Sequence, residues 1–339
     1  MKQALALLGL VFNHPMKAVI YETYGPPEVL RLVDIEKPTA KDDEVLIKVH
    51  ATTVNRTDTG FRQAEYLAVR VVSGIFRPRQ KVLGSEFAGV IEAVGKNVTR
   101  LRVGDRVFGL HTLKFGAHAQ YLCVPEGGSI ATMPSAFTFE QAAAVCDGLM
   151  LANNYIRKIH FSQGPRILVN GASGSIGSAA VQLAKYYGAQ VTATCKTSAM
   201  DRVRALGADH IIDYTRQDFT QLSHRFDVVL DSVGKSSFAQ CRRLLKPGGT
   251  YFSSELGPYW QNPLLALAAP LLAPLFDGKR VGFPIPTDKQ EDILLFRKII
   301  DEGKYQALID RVYPLEQIIE ATRYVETGEK VGNVVLTVD

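Results

Sequence analysis

The sequence has few cysteines, and none of them belongs to a C-x-x-C pair. The four, Cys123, Cys146, Cys195 and Cys241, are scattered along the chain. Such spacing argues against a disulfide framework and against a cysteine-rich structural zinc site. Scattered thiols are typical of a reducing compartment, so we predict a cytoplasmic protein.

Long hydrophobic runs are also missing. Residues 263–276 are apolar, but the stretch contains three prolines, and a membrane-spanning helix needs about 20 apolar residues. We predict a buried or subunit-interface helix pair here, with a peripheral membrane contact as the alternative. Residues 1–15 have the outline of a signal peptide without a small-x-small cleavage site, so we expect an N-terminal extension.

A large excess of charge is absent as well, because 39 basic and 34 acidic residues leave a net charge of +5 over 339 residues. This balance gives no sign of a nucleic-acid partner, although it suits an anionic cofactor. With 46% hydrophobic and 22% charged residues, the composition is that of a globular protein. The length allows two domains, each with its own core.

The residues that are present follow two patterns, which meet near residue 140. Before that point, short alternating runs such as EVLIKVHA and FAGVIEAVG are separated by turn residues and indicate β-strands. Beyond it, apolar strands such as PRILVN and FDVVLD alternate with helical segments, which indicates a doubly wound parallel sheet. The predicted fold class is therefore α/β.

The stretch ILVNGASGSIGSAAVQLAK predicts a dinucleotide site. A buried strand leads through a glycine turn into a helix, whose N-terminus offers free N–H groups and a positive dipole end to phosphates. Gly174 leaves room for a pyrophosphate, and Gly177 lets the helix pack closely on the strand. Ala172 replaces the first glycine of the usual G-x-G-x-x-G spacing, so the bracketing strand and helix support the prediction. The predicted cofactor residues are Ser173, Gly174, Ser175, Ile176 and Gly177.

The second strand of this pattern ends in TATCKTSAMDR, at the place where NAD-binding folds usually carry an acidic residue. Lys196 follows the strand instead, and Ser198 lies two residues further on. A carboxylate would repel a 2′-phosphate, whereas a lysine beside hydroxyl donors attracts one. We therefore predict NADPH rather than NADH, with Lys196 and Ser198 as ligands of the extra phosphate.

Ordered motifs run from Met16 to the C-terminus, among them MKAVIYETYGPPEVLRL, VLGSEFAGVIEAVG, FGAHAQYLCVPE, NGASGSIGSAAVQLAK and VGNVVLTV. Together they resemble the medium-chain dehydrogenase/reductase superfamily, and within it the zinc-free quinone oxidoreductases and enone reductases. The resemblance implies a GroES-like, β-rich catalytic domain formed by residues 16–140 and 295–339. It also implies an inserted Rossmann domain, residues 141–294, and homodimers formed through the edge of the Rossmann sheet.

Zinc-dependent members of this superfamily hold a catalytic metal with a cysteine, a histidine and a second cysteine or acid. The matching positions here are Asn55, Ser85 and Cys146 or Asp147. An amide and a hydroxyl are poor ligands, because Zn²⁺ prefers thiolate, imidazole or carboxylate. We therefore predict a site without a metal.

This prediction narrows the reaction that the resemblance implies. Without a metal, alcohol oxidation would lose the Lewis acid that lowers the pKa of the alcohol. A conjugated acceptor needs less help, because conjugation spreads the negative charge that develops during hydride addition onto its oxygen. We predict hydride transfer from NADPH to a quinone or an α,β-unsaturated carbonyl, with a hydrogen-bond donor at the acceptor oxygen. By likeness to the N-x-x-D pattern of this branch, the catalytic residues are Asn55 and Asp58, with Tyr66 as a candidate proton donor. An ion pair between Asp58 and Arg62 is the structural alternative.

The resemblance places three further residues at the cofactor. Tyr214, in IIDYTRQDF, matches a tyrosine that packs near the adenosine phosphate. Asp231 and Val233, in LDSVG, follow a sheet strand and are expected near the nicotinamide and its ribose.

Two other functions stay open at this point. One is an enoyl-thioester reductase, which would need a basic groove for the pantetheine phosphate, lined by residues between Arg70 and Lys81. The other is a non-catalytic binding protein that senses NADPH, since fold alone does not establish function. Turnover of NADPH with a quinone or enone would favour the reductase over the binding protein.

Overall fold

The computed structural model describes residues 15–64, 67–112, 114–255, 257, 260–283, 287 and 289–339. The β-strands, in chain order, are β1 (Pro15–Ile20), β2 (Arg31–Glu36), β3 (Glu44–Val54), β4 (Glu86–Val94), β5 (Arg106–Leu110), β6 (Tyr121–Pro125), β7 (Ser129–Thr132), β8 (Arg166–Asn170), β9 (Gln190–Cys195), β10 (His210–Asp213), β11 (Phe226–Asp231), β12 (Leu245–Ser253), β13 (Arg280–Gly282), β14 (Ile309–Pro314) and β15 (Asn333–Thr337). The α-helices of the described residues are α1 (Arg56–Gln63), α2 (Leu67–Ser73), α3 (Phe139–Ala143), α4 (Cys146–Ile156), α5 (Ser175–Tyr186), α6 (Met200–Ala205), α7 (Phe238–Cys241), α8 (Gln261–Leu272), α9 (Gln290–Asp301) and α10 (Ile318–Glu326).

The sheet built from the middle of the chain has the strand order β10-β9-β8-β11-β12-β13, and all its strands pair in parallel. This is the strand order of a dinucleotide-binding Rossmann fold. Ile167, Leu168 and Val169 of β8 are fully buried, as expected for a central strand covered on both faces. The order reverses between β8 and β11, so the carboxyl ends of these two strands border a crevice. The predicted doubly wound sheet is confirmed.

A second sheet has the order β14-β15-β3-β4-β5-β7, with β6 paired to β3. Strands from both ends of the chain meet in it, because β15 pairs antiparallel with β3, with Val335 opposite Thr53. The β-rich, GroES-like part of the predicted fold is therefore confirmed, whereas the exact domain boundaries stay a prediction. β1 begins at Pro15, the last residue assigned to the N-terminal extension; residues 1–14 lie outside the described residues.

One buried cluster joins the two sheets. It contains Ala51 and Ala88 of the mixed sheet together with Val169 of the parallel sheet, and Leu149 of α4 belongs to the same cluster. Because apolar residues of both sheets share this core, the crevice at the end of β8 has the mixed sheet beside it. The residues that end β3 and begin β4 can therefore face the glycine turn.

The apolar stretch 263–276 forms most of α8 and the 3₁₀ turn after it. Ala269 and Ala273 are buried, but Leu267 and Leu271 are each 82% exposed. Of the two predicted placements, burial within the chain therefore holds only for the face with Ala269 and Ala273, and a subunit contact of the leucine-bearing face stays a prediction. Among the described residues, none of the helices combines the length and the apolarity needed to cross a bilayer.

Arg62 of α1 ties three separate segments together. Its guanidinium is 1% exposed, donates a hydrogen bond to the Gly25 carbonyl and forms an ion pair with Glu326 of α10. The predicted alternative partner, Asp58, instead accepts hydrogen bonds from the backbone N–H groups of Asn55 and Gly84. Arg62 therefore has a structural position outside the crevice.

We expect Arg62→Ala to lower the free energy of unfolding by about 3 kcal/mol, because it removes the cation that pairs with the Glu326 carboxylate and empties a buried volume. Chemical denaturation measures the change. The matched control is Arg323→Ala, which removes the more exposed ion pair with Glu28 and should cost less than about 1 kcal/mol. Equal losses in the two variants would contradict the structural role of Arg62.

Candidate active site and cofactor crevice

The turn after β8 requires two of its glycines for packing reasons. Gly171 has a φ of +83°, and a Cβ there would lie 2.4 Å from Cγ1 of Val233. A Cβ on Gly177 would lie 2.2 Å from the Gly171 carbonyl oxygen. The close approach of helix and strand that the sequence indicated at Gly177 is therefore present.

Gly174 is different, because the protein's own packing does not require a glycine there. Among the described residues, only the Gly171 carbonyl oxygen would lie within 4 Å of a Cβ on Gly174. It would be 3.5 Å away, which is an ordinary van der Waals contact. Gly174 is also the N-cap of α5 and provides no side-chain cap, so the first N–H groups of the helix have no intrahelical acceptor. Ser173, Ser175 and Ile176 are half-buried around it. A backbone cradle of this kind fits a dinucleotide pyrophosphate.

The residues predicted for the 2′-phosphate lie side by side at the ends of β9 and β10, where Cys195 is the register partner of Asp213. Ser198 and Tyr214 are exposed. The Lys196 ammonium is 2.6 Å from a Glu329 carboxylate oxygen and 3.1 Å from the Glu329 carbonyl oxygen. A phosphate at this edge would therefore compete with Glu329 for the lysine.

Asp231, at the end of β11, is fully buried. Its carboxylate accepts hydrogen bonds from the Asn170 amide at 3.1 Å, the Val233 N–H at 3.2 Å and the Ser236 N–H at 2.9 Å. These contacts shape the LDSVG loop and hold Val233 over Gly171. The Asp231 carboxylate is therefore hydrogen-bonded within the protein. Val233, the other residue predicted here, is half-buried.

Asn55 follows β3 and caps α1. Its side-chain oxygen accepts the Asp58 N–H at 2.9 Å, and its own N–H donates to the Asp58 carboxylate at 3.0 Å, which completes a capping box. The other Asp58 oxygen accepts the Gly84 N–H at 3.1 Å, and Asp58 is 2% exposed. Asp58 therefore positions Asn55, whereas Tyr66 lies outside the described residues.

The remaining face of Asn55 meets the residues that match the zinc positions. Its side-chain N–H group donates to the Ser85 hydroxyl at 3.1 Å. The thiol of Cys146, at the start of α4, lies 3.8 Å from the Ala142 carbonyl oxygen of the preceding helix α3. Burial raises the pKa of this thiol well above its usual range. An amide N–H that faces a hydroxyl, next to a protonated thiol, does not fit the ligand preferences of Zn²⁺.

Glu86, at the start of β4, lies next to Asn55 and Ser85 and was not identified from the sequence. It is fully buried, and its carboxylate accepts the Thr53 hydroxyl and, at 2.7 Å, the Asp147 N–H. Burial and the neighbouring Asp147 raise the pKa of Glu86 to about 8, and burial together with Asp58 raises the pKa of Asp147 to about 7. The two carboxyl groups therefore bind protons at higher pH than free carboxyl groups do. An acidic residue inside the apolar run SEFAGVI was the signal that could have identified Glu86.

Lys330 is the cation that faces this acid pair. Lys330 is half-buried, and its ammonium donates to the Gly332 carbonyl at 2.7 Å. Burial lowers the pKa of Lys330 to about 8, although the nearby Asp147 acts to raise it. Gly332 in turn donates its N–H to the Ser173 carbonyl at 2.7 Å. Lys330 thus lies where the glycine turn and the acid pair meet. No sequence signal marks it, because only the fold brings the C-terminal segment to β8.

We expect Glu86→Gln to flatten the pH dependence of stability. In the folded state Glu86 keeps a proton that the unfolded chain releases above a pKa of 4.5, so between about pH 4.5 and 8 the free energy of unfolding falls as the pH rises. For one proton the slope reaches about 1.4 kcal/mol per pH unit. Denaturant titrations at several pH values test this. Glu320→Gln, at an exposed position of α10, should keep the wild-type slope, and parallel curves for Glu86→Gln and wild type would refute the assignment.

Family models and relatives agree on the identity of the chain. Residues 41–135 match the alcohol dehydrogenase GroES-like domain, and residues 206–336 match the zinc-binding dehydrogenase family. The chain is 33% identical to a 2-methylene-furan-3-one reductase of Solanum lycopersicum, over 95% of this chain and 79% of that one. It is also 33% identical, with the same coverage, to the chloroplastic NADPH-dependent alkenal/one oxidoreductase of Arabidopsis thaliana.

Solved structures give the same result. The quinone oxidoreductase of Coxiella burnetii superposes with a TM-score of 0.82 at 27% identity and covers 96% of this chain and 100% of its own. The chain belongs to the medium-chain dehydrogenase/reductase superfamily of oxidoreductases, among its quinone oxidoreductases and enone reductases.

Proposed function

We propose that the protein uses NADPH to reduce a quinone or an α,β-unsaturated carbonyl compound, without a catalytic metal. The observation that carries the proposal is the hydrogen bond of 3.1 Å between Asn55 and Ser85. These two residues match the positions of metal ligands in the zinc-dependent members of the superfamily. The tomato relative is a 2-methylene-furan-3-one reductase and the Arabidopsis relative is an NADPH-dependent alkenal/one oxidoreductase, and both support a conjugated carbonyl compound as the substrate class. An amide and a hydroxyl offer hydrogen bonds rather than metal coordination.

The residues that would hold NADPH are those of the glycine turn, Ser173 to Gly177, with Val233 beside them. Lys196, Ser198 and Tyr214 would surround the 2′-phosphate, and Asp231 would keep the LDSVG loop in shape. When bound, the reduced nicotinamide supplies a hydride. The chain itself binds and orients both partners, which by proximity alone lowers the barrier of a two-substrate reaction.

The cleft residues would stabilise the charge that develops on the acceptor oxygen. The Asn55 side-chain N–H group can donate to that oxygen in exchange for Ser85, and the Lys330 ammonium adds positive charge nearby. Asp58 holds Asn55 in place through the capping box. The enolate carbon or hydroquinone oxygen then takes its proton from water or from a side chain in the cleft.

We also propose a homodimer in a reducing, cytoplasmic setting. β13 is the edge strand of the parallel sheet, and an edge strand offers unpaired backbone groups to a second copy. All four cysteines are free thiols, and Cys146, Cys195 and Cys241 are buried, which suits a reducing compartment.

The enoyl-thioester alternative gains no support from its proposed basic groove. The Arg70 side chain donates to the Ala64 carbonyl at 3.0 Å, and Lys81 pairs with Glu22 at 3.1 Å. Two of the basic side chains that should line the groove thus have partners within the protein.

We expect steady NADPH oxidation with 1,4-quinones and with short enals, and the same rate after removal of metal ions by a chelator. Hydride transfer to a conjugated acceptor needs no Lewis acid, so kcat and KM should change by less than about twofold. Absorbance of NADPH at a fixed wavelength gives the rates, and elemental analysis gives the zinc content.

Three outcomes would contradict parts of this proposal. Stoichiometric zinc that is needed for turnover would refute the metal-free site. Turnover restricted to enoyl thioesters would favour the alternative reductase. Tight NADPH binding without turnover across the panel would favour the NADPH-sensing binding protein.

We expect Lys196→Ala to raise the KM for NADPH by about tenfold and to leave the KM for NADH within about twofold, because the lysine would contact the bound cofactor only at its 2′-phosphate. Glu329→Gln should have the opposite effect, since it frees the lysine from its carboxylate partner. Steady-state kinetics with both cofactors measure this.

The matched control is Lys185→Ala in the same domain, where the lysine pairs with Asp209 at 2.8 Å and is similarly accessible. It should leave both KM values unchanged. An unaltered ratio of NADPH to NADH efficiency in Lys196→Ala would show that another residue selects the cofactor.

A further inference from the structure

Glu255 is a half-buried acidic residue that follows β12 in the parallel-sheet domain. It lies two residues beyond Ser253, the last residue of β12, and Ser253 is the register partner of Asp231 at the end of β11. The carboxyl ends of parallel strands share one edge of the sheet, where the ligand crevice opens. Glu255 therefore lies beside the LDSVG loop, which is predicted to be near the nicotinamide.

The backbone of Glu255 and the stem of its side chain are held in place. Its N–H donates to the Ser253 hydroxyl at 3.2 Å, and its carbonyl oxygen accepts the Asn262 amide at 2.9 Å. A Cβ on Gly234 would lie 2.3 Å from Cγ of Glu255 and 3.4 Å from its Cδ. The side chain of Glu255 thus lies directly on the LDSVG loop, in the space that a side chain at Gly234 would fill.

The carboxyl group of Glu255 differs from the other acids of the crevice. In the part of the chain that the structure describes, the hydrogen bonds of Glu255 involve its backbone alone. The Asp231 carboxylate accepts three hydrogen bonds from the protein, and Glu86 accepts the Thr53 hydroxyl and the Asp147 N–H. A carboxyl group without such fixed donors is available to a ligand.

Arg56 connects Glu255 with the other side of the crevice. It is the first residue of α1, directly after Asn55, and its side chain is exposed. Arg56 lies close enough to influence the pKa values of both Glu255 and Lys330, so these three side chains surround one opening. An acceptor whose oxygen is bound at Asn55 would therefore be near Glu255.

The charges around Glu255 leave it more basic than an ordinary carboxylate. Burial has the largest effect and raises its pKa, and Asp231 acts in the same direction. Arg56 and the exposed Lys235 oppose this rise without cancelling it. Tyr155 of α4 is a further titratable neighbour, and burial together with Glu255 raises the pKa of its phenol. A carboxyl group of this kind can act as an acid closer to neutral pH.

From this placement we infer that Glu255 donates the proton to the α-carbon of an α,β-unsaturated carbonyl substrate, an inference that rests on the proposed reduction of such compounds. The β-carbon receives the hydride with its electron pair from NADPH, which is oxidised to NADP⁺, and the C=C π pair moves to form an enolate. The Glu255 O–H bond then breaks, and its proton forms a C–H bond at the α-carbon. The product has a C–C single bond, and the carboxylate regains a proton from water.

Reduction of a quinone does not need this residue. A reduced quinone takes its protons on oxygen, where water supplies them rapidly, whereas protonation of carbon is slow without a positioned acid. The two substrate classes therefore separate proton donation from hydride transfer.

The test compares full-length wild type with Glu255→Gln, using a short enal and a water-soluble 1,4-quinone. Glutamine has the shape of a protonated glutamate but donates no acidic proton, so we expect kcat to fall by about 100-fold with the enal and to stay within about twofold with the quinone. The KM for NADPH should stay within about twofold, because Glu255 would contact the acceptor rather than the cofactor phosphates. Glu255→Asp, which keeps the acid on a shorter side chain, should recover part of the lost enal turnover.

Two further measurements report the proton donor itself. With a cyclic enone that carries a methyl group on its α-carbon, wild type should give one enantiomer at that carbon and Glu255→Gln a mixture, because water has no fixed direction of approach. In wild type the ratio of enal to quinone kcat should also fall as the pH rises through the raised pKa of Glu255, since the proton is present below that pKa and lost above it. In Glu255→Gln this ratio should be independent of pH.

The matched control is Glu291→Gln, the same chemical change at an exposed position of α9, which should behave like wild type with both substrates. Wild-type enal turnover and a single product enantiomer in Glu255→Gln would overturn the inference. Equal losses with enal and quinone would also overturn it, because they would indicate a structural role. Loss of enal turnover in Tyr66→Phe but not in Glu255→Gln would assign the proton to Tyr66.

Failure of the inference and failure of the proposed function give different results. Wild type that reduces neither substrate would refute the proposed function, and this inference with it. Wild type that reduces both, with Glu255→Gln unchanged, would refute the role of Glu255 alone.

Discussion

The backbone contact between the glycine turn and the C-terminal segment is the interaction that assembles the site. The Gly332 N–H lies 2.7 Å from the Ser173 carbonyl oxygen, and Gly332 forms a parallel bridge with Gly174. Gly332 has a φ of +105°, and a Cβ there would lie 2.2 Å from the Leu308 carbonyl oxygen, so only glycine makes this approach without strain. Through this contact Lys330, near the chain's end, reaches the turn that follows β8.

The electrostatics of the crevice follow from two neutral side chains, Asn55 and Ser85, and from two buried carboxyl groups beside them. Asn55 and Ser85 are neutral, and the carboxyl groups of Glu86 and Asp147 are buried close to them. Burial favours the protonated forms of these carboxyl groups. Lys330 is the nearby cation, and burial lowers its pKa. Perturbed acids and a perturbed amine gathered in one crevice are characteristic of functional sites, where groups must gain or lose protons near neutral pH.

The cofactor crevice and the exposed leucines of α8 lie in different parts of the parallel-sheet domain. The crevice is at the carboxyl end of β8, near the middle of the sheet, whereas α8 packs on the edge strand β13. Ligands bind where the strand order reverses because loops diverge there. The sheet edge instead offers backbone and apolar surface to larger partners.

Local signals in the sequence determined the order of strands and helices and the glycine turn, because strand alternation, helical periodicity and turn residues act over a few positions. The motifs also determined the family. Only the tertiary structure decided that Asp58 accepts the Gly84 N–H, that Arg62 pairs with Glu326 and that the Asp231 carboxylate accepts the Asn170 amide, since each contact depends on which distant segment lies opposite. The same holds for the exposed leucines of α8: apolarity is a property of the sequence, but burial depends on what the rest of the chain covers.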